Sequence, residues 1–132
     1  MPKGNIRDSG LTNYIQGITR RDQLLNYPNV GAAFEAYISE EIIKGIQATE
    51  VVNWNYYYFR TRNGAEIDLI LEGPFGTLPI EIKFGSTIKQ RQIQTLKSFV
   101  YKNNNSLGIV INNSDGVQLI ADRILQLPAT YI

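Results

Sequence analysis

The 132-residue sequence contains no cysteine and no histidine. Without cysteine there is no disulfide framework, no thiolate zinc site and no cysteine nucleophile. Without histidine there is no Ser-His triad, no His-ligated zinc and no imidazole general base. Any catalysis by this chain must therefore use carboxylates, lysine, tyrosine or a metal ion that is held by oxygen ligands.

Long apolar runs are also missing. No stretch approaches the roughly 20 apolar residues that a membrane span needs, and the N-terminus lacks the apolar region of a signal peptide. Thirteen basic and twelve acidic residues leave a net charge of +1. This balance neither indicates nor excludes a nucleic-acid partner, because a neutral chain can carry a local basic patch. We expect a soluble, cytoplasmic protein with no membrane partner.

The length and the 43% content of hydrophobic residues fit one globular domain with a single core. We predict a single domain over residues 1–132, with a linker segment over 1–30 and the core over 31–128. Within the linker segment, a capping aspartate predicts a short helix over 8–17. A loop or partial helix is expected over 19–29 because a proline interrupts its weak periodicity.

Hydrophobic periodicity divides the core into helices and strands. Apolar side chains at i, i+4 steps predict a helix over 31–47, with Glu40 and Lys44 as a favourable pair on another side. The dipeptide Asn63-Gly64 is a strong hairpin signal. The predicted elements are helix 31–47, strands 51–60, 65–72 and 77–84, helix 87–102, strands 107–111 and 117–121, and an extended terminal segment 122–132.

This order predicts a mixed α/β (α+β) fold. Strands 51–60, 65–72 and 77–84 form an antiparallel meander, joined by turns that are rich in glycine and asparagine. A crossover through helix 87–102 makes strand 107–111 parallel to strand 77–84. We therefore expect a mixed central sheet that is flanked by helices.

The two strands at the centre of this order form a hairpin. The apolar runs 65–72 and 77–84 flank a Gly-Pro-Phe-Gly turn, which we centre on Pro74 and Phe75. A two-residue turn fixes the register of the strands on each side of it. The resulting register pairs Glu72 with Thr77, Asp68 with Glu81, and Glu66 with Lys83.

In this register, Asp68, Glu81 and Lys83 share one face of the hairpin. Directly opposed side chains have Cβ atoms about 4.5–5.5 Å apart, and like charges at that distance are destabilising. A cation between the two carboxylates would remove that cost. Glu35 lies at the edge of the buried stripe of helix 31–47, where a carboxylate needs a partner.

These four residues form a pattern that resembles the PD-(D/E)xK, or restriction-endonuclease-like, superfamily. The pattern has Glu35 on the first helix, Asp68 on the second strand of a meander, and Glu81 and Lys83 on the third strand. Over residues 6–128 the chain more narrowly resembles the uncharacterised C-terminal domain of many prokaryotic AAA-type ATPases. The matching segments are Gly31-x-x-Phe34-Glu35, Gly64-x-Glu66-Ile67-Asp68 and Pro79-Ile80-Glu81-Ile82-Lys83.

The resemblance implies a nuclease-like domain that hydrolyses the phosphodiester bonds of DNA, as a Mg-dependent deoxyribonuclease or ribonuclease. Asp68, Glu81, Glu35 and the backbone carbonyl of Ile82 would hold Mg²⁺ or Mn²⁺, which are hard ions that prefer oxygen ligands. Lys83 would stabilise the attacking water or the charge that develops on the phosphate. The implied partners are DNA and an AAA-type ATPase domain in a longer parent protein.

The sequence departs from the superfamily at Ile67, which replaces the proline of the motif. The chain also has no concentrated basic and aromatic groove of the kind that tight DNA binding requires. We interpret Trp54 and the tyrosines over 56–58 as core and sheet packing rather than as surfaces for base stacking.

Two alternatives stay open. The carboxylates and Lys83 can instead be the polar face of a half-exposed hairpin, in which Lys83 pairs across to Glu66. A chain with the same fold can also be a catalytically silent DNA- or protein-binding module that is attached to an AAA-type ATPase. Mn²⁺ binding discriminates between the nuclease and the silent module.

Overall fold

The computed structural model describes residues 6–62 and 64–132. Their helices are α1 (Ser9–Ile15), α2 (Arg21–Leu25), α3 (Val30–Gln47) and α4 (Gln94–Lys102), with short 3₁₀ helices at Gln90–Ile93 and Ala129–Tyr131. Their strands are β1 (Asn55–Arg60), β2 (Glu66–Gly73), β3 (Gly76–Lys83), β4 (Gly108–Asn112), β5 (Gln118–Ala121) and β6 (Ile124–Pro128).

In the described part of the chain, the six strands form one mixed sheet in the order β1-β2-β3-β4-β6-β5. The meander β1-β2-β3 is antiparallel, and β4 lies parallel to β3, so the predicted mixed sheet with flanking helices is confirmed. The terminal segment forms β6, which inserts between β4 and β5 and runs parallel to β4. The site strands β2 and β3 are therefore interior strands of the sheet.

Helix α3 covers one face of the sheet. Its buried residues Ile38 and Ile43 pack in one cluster with Leu69 of β2 and with Ile80 and Ile82 of β3. The other members of the predicted apolar stripe are partly buried against the same cluster, which confirms the i, i+4 pattern. These members are Phe34, Ile42 and Ile46.

Helix α4 covers the other face. Leu96 and Val100 are fully buried against Val110 of β4 and Ile124 of β6. The α-helix is shorter than predicted because its first turn is a 3₁₀ helix, where the carboxamide of Gln92 accepts a hydrogen bond from the backbone nitrogen of Lys89 at 2.7 Å. The connection from β3 to β4 is thus the predicted helical crossover, and its helix begins with a 3₁₀ turn.

The N-terminal segment is more helical than a linker. Asp8 caps α1 by accepting a hydrogen bond from the nitrogen of Leu11 at 2.8 Å, as predicted. Arg7 then binds the carboxylate of Glu40 with its Nε atom at 2.9 Å. Lys44 forms its salt bridge with Glu41 at 3.0 Å rather than with the predicted partner Glu40. Glu41 chiefly raises the pKa of Lys44, and the charge of Glu40 adds to that effect.

The edge strand β1 corrects another prediction. Trp54, just before β1, packs against the α3 cluster, in agreement with a core role. The following tyrosines are not core residues, since Tyr56, Tyr57 and Tyr58 are 48%, 49% and 39% exposed. An edge strand has no neighbour beyond it, so its large side chains stay open to water.

The turn predicted at Asn63-Gly64 falls in the connection between β1 and β2. Asn63 lies outside the described residues, while the flanking chain closes through a 2.8 Å hydrogen bond from the nitrogen of Thr61 to the carbonyl of Ala65. None of the helices found over 6–62 and 64–132 is both long enough and apolar enough to cross a membrane.

Candidate functional site

The β2–β3 hairpin has the predicted register near its turn. Glu72 lies opposite Thr77, and the pairs continue to Leu69 opposite Ile80. One residue further, the carboxylate of Asp68 accepts the backbone N–H of Ile82 at 2.8 Å. A side chain thus takes an amide that in a regular ladder would bind a backbone carbonyl.

A β-bulge explains how Asp68 reaches this position. Between two neighbouring pairs, β1 advances two residues from Tyr57 to Phe59, whereas β2 advances three from Ile70 to Ile67. The extra residue is therefore in β2, at Asp68 or Leu69. A bulge redirects side chains out of strict alternation, and both of these residues line a cavity beside α3. The bulge turns the carboxylate of Asp68 toward that helix.

Lys83 brings the predicted site residues together. Its Nζ atom lies 2.7 Å from Oε1 of Glu81, 3.3 Å from Oδ2 of Asp68 and 3.7 Å from Oε1 of Glu35. The cation between the carboxylates is, in this structure, the ammonium of the motif's own lysine. We call Glu35, Asp68, Glu81 and Lys83 the carboxylate–lysine cluster.

Exposure within the cluster is graded. The side chains of Asp68 and Glu81 are only 4% and 7% exposed, whereas those of Lys83 and Glu35 are 23% and 24% exposed. Water therefore reaches the cluster from the side of Lys83 and Glu35. The two motif carboxylates lie at the closed end.

Burial changes the protonation of the cluster. Removal from water and the negative charge of Asp68 raise the pKa of Glu81 to about 7, although Lys83 acts in the opposite direction. Burial lowers the pKa of Lys83, but the charges of Asp68 and Glu81 outweigh it, so that pKa is raised overall. At neutral pH the lysine is charged, and a pKa of about 7 leaves Glu81 divided between its protonated and ionised forms.

One oxygen of the cluster has no hydrogen-bond partner among the described residues. This atom is Oε2 of Glu81, which is shielded from water. A buried acceptor without a donor costs about 1–3 kcal/mol. The folded chain tolerates that cost at the same carboxylate whose other oxygen binds Lys83.

The half-exposed hairpin does not describe this site. The side chains of Asp68 and Glu81 are buried, and the Lys83 ammonium lies among the cluster carboxylates. Glu66 accepts a 2.7 Å hydrogen bond from the hydroxyl of Tyr58. Ile67, at the position of the superfamily proline, is fully buried.

Metal coordination by carboxylates alone is not preformed. Within residues 6–62 and 64–132, no group of three acidic side chains is placed to hold a metal ion. Asp68, Glu81 and Glu35 instead have the Lys83 ammonium as a common neighbour.

Sequence reasoning missed a polar residue beside the cluster. Asn112 is fully buried at the end of β4, directly opposite Lys83 in the parallel pair β3–β4. Its amide nitrogen donates to the carbonyl of Ser86 at 3.2 Å, and its Oδ1 is buried with no hydrogen-bond partner in the described structure. The available signal was an asparagine placed directly after a buried apolar strand.

A comparison with known protein families gives a match over most of the chain. Residues 30–132 match the family described as a domain of unknown function, DUF4143. Domains of that family are usually found alongside ATPase domains.

The chain is also similar to the uncharacterized proteins Rv2008c of Mycobacterium tuberculosis and Mb2031c of Mycobacterium bovis, each 36% identical over 89 residues. The matched segment is 65% of this chain but 18% of each relative. The chain thus corresponds to a small part of the length of these relatives.

Proposed function

The chain belongs to the DUF4143 family, and from its carboxylate–lysine cluster we propose that it is a metal-dependent nuclease-like domain of the PD-(D/E)xK type. The observation that carries the proposal is the position of Lys83. Its ammonium lies within 4 Å of three carboxylates that come from α3, β2 and β3. Charged groups are seldom buried at such a density unless they are paired or act on a ligand.

The donor set fits Mg²⁺ or Mn²⁺. Asp68 and Glu81 supply carboxylate oxygens, the backbone carbonyl of Ile82 directly follows Glu81 in sequence, and hard divalent ions prefer such oxygens. The unpartnered Oε2 of Glu81 is available as a ligand. Glu35, on the more open side, would bind the ion directly or through water. When bound, the ion would supply charge neutralisation at the phosphate.

The chain's own residues have distinct tasks in phosphodiester hydrolysis. The hydrogen bond from Ile82 orients the carboxylate of Asp68. Lys83 stays protonated at neutral pH because its pKa is raised, so it would stabilise the attacking water or the negative charge on the phosphate. Phosphodiester hydrolysis by this set requires no histidine, which matches the composition.

Cleavage assays test the nuclease. Supercoiled plasmid and single-stranded DNA are incubated with the chain and Mg²⁺ or Mn²⁺, and the wild type is compared with Asp68→Ala and Lys83→Ala. We expect cleavage by the wild type with either metal and none by the variants. Cleavage that survives both substitutions, or its absence with every metal, would overturn catalysis by this cluster.

A second candidate is a catalytically silent module that binds DNA or protein for an attached AAA-type ATPase domain. The specific observation in its favour is that the ammonium of Lys83 lies within 4 Å of all three cluster carboxylates, so these acids have a cationic partner in the chain itself. Calorimetric titration with Mn²⁺ separates the candidates. Binding at millimolar or tighter concentration favours the nuclease, and its absence favours the module.

A further inference from the structure

A cavity adjoins the carboxylate–lysine cluster on its α3 side. Its volume is about 380 Å³, within the roughly 300–1,000 Å³ that is typical of small-molecule sites. Glu35 and Asp68 form part of its wall, so the cavity opens directly from the cluster. The edge strand β1 borders its other side over the tyrosines at residues 56–58, where only Tyr56 and Tyr58 lie on the cavity's face of the sheet.

Two of these tyrosines belong to the α3 face of the sheet. The ring of Tyr56 lies 6.2 Å from that of Trp54, which packs on the α3 core cluster. Tyr58 is two residues further along the strand, and alternation places it on the same face. Tyr57 lies on the other face with Phe59, and both residues line a separate cavity with Phe99 of α4.

Contacts within the chain fix the rings of Tyr56 and Tyr58, and both residues remain exposed to solvent. Trp54 supports Tyr56, and the hydroxyl of Tyr58 is fixed by its hydrogen bond to Glu66. Both residues nevertheless expose 39% or more of their surface. Rigid, exposed aromatic rings bind flat partners at a low cost in conformational entropy.

The acidic side chains around the cavity do not favour binding of a nucleic-acid duplex. Its wall contains Glu35, Glu40 and Asp68, and Arg7 is already bound to Glu40. Duplex DNA is bound chiefly through many basic contacts to phosphates, which this wall does not offer. Unpaired bases gain affinity from stacking on aromatic rings instead, and a duplex hides those base faces.

We propose that Tyr56 and Tyr58 form a stacking site for an unpaired nucleobase, beside the cluster that holds the adjoining phosphodiester, so the substrate class is single-stranded nucleic acid. The choice of substrate rests on the proposed function, whereas the stacking itself is measurable without cleavage. DNA and RNA share the base chemistry that this site recognises. Separate probes distinguish the two.

The chain carries its own reporter for this site. Trp54 is the only tryptophan in the sequence, and its ring contacts that of Tyr56. Intact protein is titrated with a thymidine oligonucleotide, its duplex with adenine, and a uridine oligonucleotide, with Ca²⁺ present to neutralise the carboxylates. Trp54 fluorescence reports local binding, and anisotropy of a labelled oligonucleotide gives the affinity.

We expect Trp54 fluorescence to change with single strands and the thymidine strand to bind at least about tenfold more tightly than the duplex. Loss of one stacked base weakens binding by about tenfold, so we expect that effect from Tyr56→Ala. Tyr56→Phe, which keeps the ring, should bind within about twofold of the wild type. Thermal unfolding of each variant verifies that the exposed substitution leaves the fold intact.

Tyr57→Ala is the matched control, because it removes the same side chain, at the same exposure, from the other face of β1. This variant should bind the single-stranded oligonucleotides within about twofold of the wild-type affinity. Equal losses in both alanine variants, equal affinity for duplex, or no binding of either single strand would overturn the stacking site. Binding that depends on Tyr56 without any cleavage would refute the nuclease alone. Cleavage that is insensitive to Tyr56→Ala would refute the stacking site alone.

Discussion

The Oδ2 atom of Asp68 lies 2.8 Å from the backbone nitrogen of Ile82 and accepts its hydrogen. The same oxygen is 3.3 Å from the ammonium of Lys83. One carboxylate oxygen therefore interacts both with the backbone of β3 and with the ammonium of the cluster. Substitutions at Asp68 can separate these two roles.

Asp68→Asn keeps an oxygen that accepts the Ile82 N–H but removes the negative charge, whereas Asp68→Ala removes both. A buried N–H that is left without an acceptor costs about 1–3 kcal/mol. We expect the alanine variant to be less stable than the asparagine variant by that amount. Urea denaturation measures the free energies of unfolding. Equal stability of the two variants would show that the hydrogen bond contributes nothing.

Lys83→Ala should lower the free energy of unfolding by about 3–5 kcal/mol at pH 8, because it leaves buried carboxylates without their cation. The raised pKa of Lys83 means that its stabilising charge is fully present at pH 8 and is lost only as the pH rises through that pKa. The loss should be smaller at pH 5, where Glu81 takes up a proton.

Lys44→Ala is the control for this effect. Lys44 is more than half exposed and pairs with Glu41 on the surface of α3, and such pairs contribute less than about 1 kcal/mol. Chemical denaturation of the two variants side by side provides the comparison. A loss in Lys83→Ala no larger than that in Lys44→Ala would contradict a buried ionic role for Lys83.

Glu81→Gln tests the protonation of the cluster. Because the folded-state pKa of Glu81 is raised from 4.5 to about 7, the folded wild type binds more protons than the unfolded chain between these values. Its stability therefore falls as the pH rises from about 4.5 to 7, by about 1.4 kcal/mol for each pKa unit. The total loss is about 3 kcal/mol.

The glutamine variant lacks this titration, so its stability relative to the wild type should grow by that amount from pH 4.5 to pH 8. Unfolding curves at several pH values measure the difference. A relative stability that stays constant with pH would mean that Glu81 titrates normally.

Mn²⁺ should stabilise the wild type, because an ion that binds only the folded state raises its thermal midpoint with ion concentration. We expect Asp68→Asn and Glu81→Gln to lose this shift. Glu72→Gln removes an exposed carboxylate from the same strand β2 and should keep it. Differential scanning calorimetry with and without Mn²⁺ gives the comparison, and a shift of the same size in all variants would assign the ion to another place.

Gly108→Ala probes the contact between α4 and β4. An added Cβ would lie 2.8 Å from a side-chain carbon of Val100 and 3.0 Å from one of Ile124, and overpacking of this kind costs about 1–3 kcal/mol. Gly45→Ala is the control, because its Cβ would meet nothing within 4 Å and alanine is the better helix former by about 1 kcal/mol. The midpoint of thermal unfolding should therefore fall for Gly108→Ala and rise for Gly45→Ala.

The sequence by itself determined the fold class and the site candidates. Periodic apolar residues predict α3, the Gly-Pro turn predicts the hairpin, and the register from Glu72–Thr77 to Leu69–Ile80 was correct. These features depend on neighbours within one element or one turn, which a sequence pattern records directly. The strand end that carries the cluster was singled out by Glu35, Asp68, Glu81 and Lys83 together, because a Glu-x-Lys spacing alone occurs in many strands by chance.

Only the tertiary structure decided how the cluster is neutralised and what lies beside it. The bulge that turns Asp68 toward α3 depends on pairing with β1, and the position of Lys83 among the carboxylates depends on the packing of α3 against the sheet. The exposure of Tyr56 follows from the position of β1 at the sheet edge. Aromatic residues suit interior and edge strands alike, so only the strand order could distinguish a core residue from a binding surface.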